Sequence, residues 1–265
     1  NKHLLQEILR EDWGFDGIVI TDWGASNSHA KGVAAGSNLE MPVPGLDSAR
    51  EILEAVNKKQ LTMEELDSCV DSLLDAVFDL TSKKEERKKK KTSQNFSATK
   101  HHELAKKAAI KSAVLLKNED NILPLKKKTK IALIGDFAIK PRYQGAGSSL
   151  VNATIVETME KAIMNYDLQV VGISSGYRRD GKDDSLLEKT TLELAKNADV
   201  VLYCFGLDEI SESEGLDRTH MRISQNQVAL LETLARVNEN IVGIISAGSA
   251  IEMPWQCSCK AILHG

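Results

Sequence analysis

"DVVLYCFG", residues 199–206, is an apolar run of strand-forming residues, and it has the length and composition of a strand buried on both faces. Similar runs recur on either side of it, at 130–135, 168–174, 240–248 and 260–263. Segments of helical periodicity separate them, near 101–117, 154–165, 185–197 and 225–237. Strands that alternate with helices of this length predict a mostly parallel sheet with helices on both faces. We therefore expect residues 98–265 to form a doubly wound α/β domain.

The N-terminal part predicts a β-α-β-α arrangement over residues 1–81. A helical face near 4–9 is followed by a strand at 17–21, and a second apolar segment at 35–45 precedes two further helical patterns. Two strands cannot close a sheet or barrel alone. Residues 82–97 are charged and poor in apolar side chains, so we expect a solvated linker, with a nuclear-localisation signal as the alternative.

The composition of this 265-residue chain limits which classes of partner and which cellular compartment are expected. It has 42% hydrophobic and 27% charged residues, a net charge of −4 and a pI near 5.9, which is ordinary for a globular protein and gives no sign of binding to nucleic acid or membranes. The four cysteines do not form a disulfide framework, so we expect a reducing, cytoplasmic compartment. Cys257 and Cys259 resemble half of a metal site that nothing completes, and we expect no metal or cofactor.

"DGIVITDWGA", residues 16–25, places Asp22 and Trp23 where the predicted strand ends, with Gly24 allowing a sharp turn. The carboxyl ends of parallel strands are where functional side chains collect. The structural alternative is that Asp22 caps the next helix and Trp23 fills the core. This stretch alone does not decide between them.

Two loops follow strands of the predicted sheet and can carry chemistry. The loop at 208–227 concentrates titratable side chains, namely Asp208, Glu209, Glu212, Glu214, Asp217, Arg218 and His220. It is either a solvated connection or a functional loop in which an Asp217–Arg218 ion pair fixes the backbone. The loop at 140–150 has glycines and serines suited to a phosphate or to sugar hydroxyls, but it lacks the third glycine of a dinucleotide fingerprint. Two carboxylates, one beside a tryptophan, suggest glycoside hydrolysis.

Six motifs then occur in one order: "LLQEILREDWGFDGIVITDWGA" (4–25), "AGSNLEMP" (35–42), "AIKSAVLLKNEDNILPL" (109–125), "PRYQGAGSS" (141–149), "ESEGLDRTHM" (212–221) and "GSAIEMPW" (248–255). Together they resemble glycoside hydrolase family 3 of the β-glucosidase type, across essentially the whole chain. The resemblance implies the C-terminal end of a (β/α)8-type barrel followed by an α/β sandwich domain. It also implies β-linked glucosides or oligosaccharides as ligands; a homo-oligomer is compatible with it.

The resemblance assigns roles residue by residue. Asp22 falls on the nucleophile and Glu214, directly before a glycine, on the general acid/base, with Glu212 as its competitor. Trp23 would line the sugar subsite. Ser148, Ser149 and Arg142 are the remaining expected substrate-binding residues. A double displacement follows, in which the two carboxyl groups lie roughly 5 Å apart in the competent enzyme.

The sequence departs from the family pattern in four respects. Thr21 replaces a serine, Asn38 an aspartate and Ser224 a proline, while the first six barrel strands with their substrate-binding residues are absent. Lys2-His3 is not the family's sugar-binding Lys-His pair. Because of the ends and the missing strands, we expect a piece of a larger protein that is inactive by itself. The alternatives are a non-catalytic carbohydrate-binding module and a β-N-acetylglucosaminidase of the same family.

Overall fold

The chain divides into two units, Asn1–Phe96 and Ser97–Gly265. The computed structural model describes residues 1–42, 45–89 and 97–265. Within these ranges no helix is both long and apolar enough to cross a bilayer. The four cysteines are free thiols.

The first unit is mainly helical. A π-type helix, His3–Asp12, is followed by α1 (His29–Ala34), α2 (Leu46–Asn57) and α3 (Met63–Lys89). The strands predicted at 17–21 and 35–45 meet at a single parallel bridge between Ile20 and Leu39, flanked by the Thr21 N–H···O Leu39 bond of 2.9 Å. In the described residues this bridge is the only strand pairing of the first unit, and it is shorter than the strands predicted from the sequence.

The helix α3 continues through the first half of the predicted linker, 82–89. Lysine and glutamate are good helix formers, so a charged run that lacks apolar side chains can still extend a helix. Residues 90–96 of the predicted linker, and residues 43–44 of the predicted second strand, lie outside the described residues. The solvated character of 90–96 stays a prediction.

The second unit is built on a six-stranded sheet, which confirms the α/β prediction. Its strands are β1 (Val114–Asn118), β2 (Lys130–Ile134), β3 (Gln169–Ser174), β4 (Val200–Gly206), β5 (Ile241–Ser246) and β6 (Ala261–His264). They lie in the order β1-β6-β5-β4-β2-β3, and every neighbouring pair is parallel except β1 with β6. The helices are α4 (Ala98–Ser112), α5 (Asp136–Ile139), α6 (Met159–Ala162), α7 (Ser185–Lys196) and α8 (Gln225–Ala235).

Two predicted helices of this unit are wrong in extent. The helix expected at 101–117 ends at Ser112, and the following apolar residues form β1, which pairs with β6 through partners such as Asn118 and Ala261. Local periodicity cannot reveal a partner so distant along the chain. The helix expected at 154–165 begins only with α6, whose start is capped by the Thr158 hydroxyl, and it ends in a 3-10 turn over Ile163–Asn165.

The strand β4 forms the centre of the core, because all seven of its residues are buried. Tyr203 and Phe205 belong to the cluster that includes apolar residues of α8, while Leu202 and Cys204 belong to the second cluster with Phe137. The strand ends at Gly206, whose φ is +145° and whose missing Cβ would overlap the Ser246 carbonyl oxygen. The close packing of Gly206 against Ser246 therefore fixes the position at which the loop after β4 begins.

Candidate active site

Asp22 caps a tight turn rather than a helix. Its Oδ1 accepts the Trp23 N–H at 2.7 Å, its carbonyl accepts the Ala25 N–H at 3.2 Å, and Gly24 has a φ of +71°. The next helix begins only at His29, so the interpretation of Asp22 as its N-cap is wrong. Trp23 is 74% exposed, but so is Trp13 of the same unit, at 75%, so exposure does not decide between a core role and a ligand-facing role for Trp23.

Thr21 fixes the backbone immediately before Asp22. Its hydroxyl accepts the Met41 N–H at 2.9 Å and lies 3.4 Å from the Met41 carbonyl oxygen. The Gly24 N–H also bonds to the Met41 carbonyl, at 3.3 Å. Because threonine keeps the hydroxyl of the family's serine, the same oxygen chemistry is available here.

Asn38 connects three segments of the first unit. Its Oδ1 accepts the Val19 N–H at 2.9 Å and an Arg10 N–H at 3.1 Å, while its Nδ2 donates to the Cys69 carbonyl at 3.2 Å. Arg10 also donates to the Gly17 carbonyl at 3.0 Å. The amide uses both its donor and its acceptor, which an aspartate could not do when ionised. These bonds hold the segment that leads to Asp22.

In the second unit, the two predicted functional loops lie side by side beyond β2 and β4. The Ala146 N–H bonds to the Glu209 carbonyl at 3.1 Å, and the Glu214 N–H bonds to the Ala146 carbonyl at 3.3 Å. This ladder-like contact brings the serine-containing loop against the acidic loop. Parallel strands end at one edge of a sheet, and this is the physical reason for the juxtaposition.

The glycines of the first loop permit close backbone approach. A Cβ on Gly145 would lie 2.6 Å from the Glu212 carbonyl oxygen, and one on Gly147 would lie 3.0 Å from Cβ of Glu214. Gly147 also has a φ of +87°, which side-chain-bearing residues rarely adopt. The two positions are occupied by glycine because the acidic loop packs directly on them.

Glu214 is exposed in an open cleft of about 920 Å³ in the second unit. Its Oε2 accepts the backbone N–H of Ser148 at 3.0 Å. The other residues that line the cleft are Ser148, Ser149, Ser211, Glu212, Ser213, Leu216, Asp217, Arg218 and Ser249. Ser148 and Ser149, both expected near the substrate, thus share this cleft with Glu214.

Glu212 differs sharply from Glu214, because its side chain is only 10% exposed. It is ion-paired with Arg142 and accepts the Gly248 N–H at 2.9 Å and the Ser249 hydroxyl. Burial alone would raise the pKa of Glu212, but the hydrogen bonds from Ser249 and Gly248 and the charges of Arg142 and Arg218 hold the pKa below its usual value. A carboxylate held ionised cannot serve as a proton donor at neutral pH.

The two arginines of these loops have partners that the sequence did not reveal. The Arg142 side chain, 9% exposed, contacts Glu212, so its expected role as a substrate contact stays a prediction. Arg218 does not pair with Asp217 as expected: in the described part of the chain it donates to Ser249 Oγ at 2.9 Å and to the Ala250 carbonyl at 2.7 Å. Ser249 was not singled out, although it lies in the motif "GSAIEMPW".

In the portion of the chain that the structure describes, no group of three or more His, Cys, Asp or Glu side chains is placed to hold a metal ion. Cys257 is exposed and Cys259 is buried, so the two thiols of the half-site do not share an environment. The chemistry of these loops is that of carboxylates and hydroxyls.

Comparison with protein families gives a match for each unit. Residues 1–76 match the glycosyl hydrolase family 3 N terminal domain, and residues 113–265 match the glycosyl hydrolase family 3 C-terminal domain. These matches place the chain among the glycosyl hydrolases. Within that class, the chain belongs to glycosyl hydrolase family 3.

Individual relatives agree with this assignment. The chain is 42% identical to thermostable beta-glucosidase B of Acetivibrio thermocellus and 39% identical to an exo-alpha-(1->6)-L-arabinopyranosidase of Bifidobacterium longum, in each case over 100% of this chain and 35% of the relative. A crystal structure of the Bifidobacterium adolescentis GH3 beta-glucosidase superposes with a TM-score of 0.82 at 39% identity, covering 99% of this chain and 38% of that one. The chain thus spans about a third of the length of these curated relatives, at 35%.

Proposed function

We propose that this chain contributes the catalytic carboxylates of a retaining β-glucosidase, with Asp22 as nucleophile and Glu214 as general acid/base. The observation that carries the proposal is the contrast between the two glutamates of one loop. Glu214 is exposed in a cleft lined by hydroxyl groups, whereas Glu212 is buried in an ion pair. Both glutamates line the cleft, but the Glu212 carboxylate is occupied by Arg142, Gly248 and Ser249, whereas the exposed Glu214 carboxylate is available to a substrate.

The proposed reaction has two steps. The Asp22 carboxylate attacks the anomeric carbon while Glu214 gives its proton to the departing glycosidic oxygen, so that a glycosyl–enzyme ester forms and the aglycone leaves. Glu214, now a carboxylate, then takes a proton from water as the water oxygen attacks the anomeric carbon and releases Asp22. Glu214 thus ends the cycle protonated, as it began, and the anomeric configuration is retained.

The surroundings of Asp22 support the nucleophile role. The Trp23 N–H bond to Oδ1 orients the carboxylate, and the turn at Gly24 exposes it beyond the bridged segment. The exposed Trp23 ring offers an apolar platform for the face of a sugar. A group held by backbone bonds needs little rearrangement to react.

The sugar selected is a second part of the proposal. The named relatives include β-glucosidases and arabinopyranosidases at nearly equal identity, 42% and 39%. We therefore propose β-D-glucosides as the first substrate class and α-L-arabinopyranosides as the second. A β-N-acetylglucosaminide serves as the third test substrate, since it represents the remaining alternative within the family.

The experiment compares Asp22→Asn and Glu214→Gln in the full-length product of the gene that encodes this chain. Asp22→Asn should lower kcat by about 10³-fold or more on every substrate. Glu214→Gln should lower kcat/KM about 10²–10⁴-fold for an alkyl glucoside but much less for a dinitrophenyl glucoside, which needs no protonation to leave. Azide should partly restore the second variant.

The matched control is Glu252→Gln, because Glu252 is a surface residue whose nearest cation, Arg222, lies 3.7 Å away. Turnover that persists in Asp22→Asn, or a Glu214→Gln loss that ignores the leaving group, contradicts the assignment. Sugar binding without any turnover in the unmodified protein would favour the carbohydrate-binding module. For the 265-residue chain alone we propose no measurable turnover.

A further inference from the structure

The loop that carries Glu214 is anchored on both sides of that residue to the same tripeptide, residues 248–250. Upstream, Glu212 accepts the Gly248 N–H at 2.9 Å and the Ser249 hydroxyl. Downstream, Arg218 donates to Ser249 Oγ at 2.9 Å and to the Ala250 carbonyl at 2.7 Å. The Ser249 hydroxyl is shared by both anchors.

A third connection joins the serine-containing loop to this assembly. Arg142 binds Glu212, and both side chains are about nine-tenths buried, at 9% and 10% exposed. Six residues further along that loop, the Ser148 N–H binds Glu214. Removing one partner of a buried ion pair is strongly destabilising, so the Arg142–Glu212 contact is a rigid link and not an adjustable one.

Glu214 itself has few restraints. The described hydrogen bond to its carboxylate comes from the backbone of the exposed Ser148, and the next residue, Gly215, has a φ of +78° with open space around it. A segment of this kind moves readily unless its ends are fixed. The anchors supply that restraint from two residues before Glu214 and four residues after it.

We propose that Glu212 is the positioning residue of the acid/base loop: through Ser249, Gly248 and Arg142 it fixes the place of Glu214 and transfers no proton itself. The proposal rests on the assignment of Glu214 as acid/base. A displacement of about 1 Å at a reacting group can cost about 100-fold in rate, so a fixed loop has a direct kinetic value.

The first test needs no activity. In the ¹⁵N-labelled 265-residue chain, the amide of Ser148 reports on Glu214 and the amide of Gly248 reports on Glu212. Glu212→Gln should speed exchange at both amides, by about 10-fold at Ser148, because one lost anchor releases about 1–2 kcal/mol of local protection. Ser249→Ala, which uncovers no charge, should do the same more weakly. Glu252→Gln should change neither amide.

Unchanged Ser148 exchange, in variants whose Gly248 amide exchanges faster, would overturn the proposal. That outcome would show that Glu214 keeps its place without the anchor. If Glu212→Gln fails to fold, Ser249→Ala gives the same decision, since the serine is exposed and its loss leaves the ion pair in place.

The second test is kinetic and uses the full-length gene product. Glu212→Gln should lower kcat by about 10–100-fold for an alkyl glucoside, less for a dinitrophenyl glucoside, with KM changed less than about threefold. A purely structural role would lower the turnover of both substrates equally.

The Glu214→Gln variant separates the two proposals. If it shows no leaving-group dependence, the acid/base assignment fails, while the exchange result at Ser148 still decides whether Glu212 positions the loop. If Glu214→Gln behaves as an acid/base variant and Glu212→Gln shows no leaving-group effect, only the positioning role fails.

Discussion

The backbone N–H of Ser148 donates to Oε2 of Glu214 at 3.0 Å, and this bond joins the loop after β2 to the loop after β4. Glu214 is therefore oriented by main-chain geometry, which a side-chain substitution at Ser148 would not remove. The geometry depends instead on the preceding residue, Gly147, whose φ is +87°. The orientation of the proposed acid/base therefore depends in part on the backbone conformation at Gly147.

The first prediction concerns Gly147→Ala. An added Cβ would lie 3.0 Å from Cβ of Glu214 in a backbone conformation that alanine disfavours, so Glu214 must shift. We expect kcat for an alkyl glucoside to fall about 10-fold or more. Gly181→Ala is the matched control, because Gly181 has a similar φ of +74° but its added Cβ would meet only Ser224 Oγ, at 3.9 Å. Equal losses in both variants would contradict the prediction.

The second prediction concerns the pH dependence of stability. The folded-state pKa of Glu212 lies below the ordinary glutamate value of 4.5, so its ionised form favours the folded state. This contribution is fully present above pH 4.5 and is lost as the pH falls through the lower folded-state pKa. In urea unfolding, the difference between the unmodified chain and Glu212→Gln should shrink as the pH falls below about 4.5. A difference that is constant with pH would contradict the assignment of charge.

The third prediction tests the start of the acidic loop. Gly206→Ala should lower the free energy of unfolding by about 3 kcal/mol, because its Cβ would overlap the Ser246 carbonyl oxygen at a φ of +145°. Gly215→Ala has a φ of +78° but open space around it, and should cost about 1 kcal/mol. Denaturant unfolding measures both. A larger loss at Gly215 than at Gly206 would refute the role assigned to β4.

The fourth prediction concerns Asn38 in the first unit. Asn38→Ala leaves the Val19 N–H and the Cys69 carbonyl without their partner, at a cost of about 1–3 kcal/mol. Hydrogen exchange in residues 17–21 should become faster, whereas Asn57→Ala at the exposed end of α2 should have little effect. Asn38→Asp should be milder than Asn38→Ala, since it keeps the acceptor for Val19 and Arg10. The reverse order would show that the amide donor to Cys69 dominates.

How much the sequence could predict depended on the range of the interactions involved. The strand β4 is apolar throughout, and its seven buried residues could be identified from composition. The strand β1 could not be identified in this way, because its partner β6 lies at the other end of the second unit. In addition, the helical pattern that precedes β1 continues into it. Long-range pairing overrode local periodicity.

The candidate site shows the same division. Asp22 and Glu214 were predicted from the family motifs, and their catalytic roles stay predictions. The separate role of Glu212 was not predictable, since it depends on Arg142 and Ser249, which approach it only in the folded chain. Two glutamates in one short motif look equivalent in the sequence, and only their different burial in the folded chain distinguishes them.

The attachments of the acidic loop to residues 248–250 leave some positions of the loop freer to be substituted than others. Leu216 and Asp217 line the cleft, whereas the described bonds that hold the loop run through Glu212 and Arg218. Under the proposed function, substitutions at 216 and 217 would change the wall of the cleft while Glu214 keeps its position. The shape of the cleft and the placement of the proposed acid/base would then depend on different residues of one short segment.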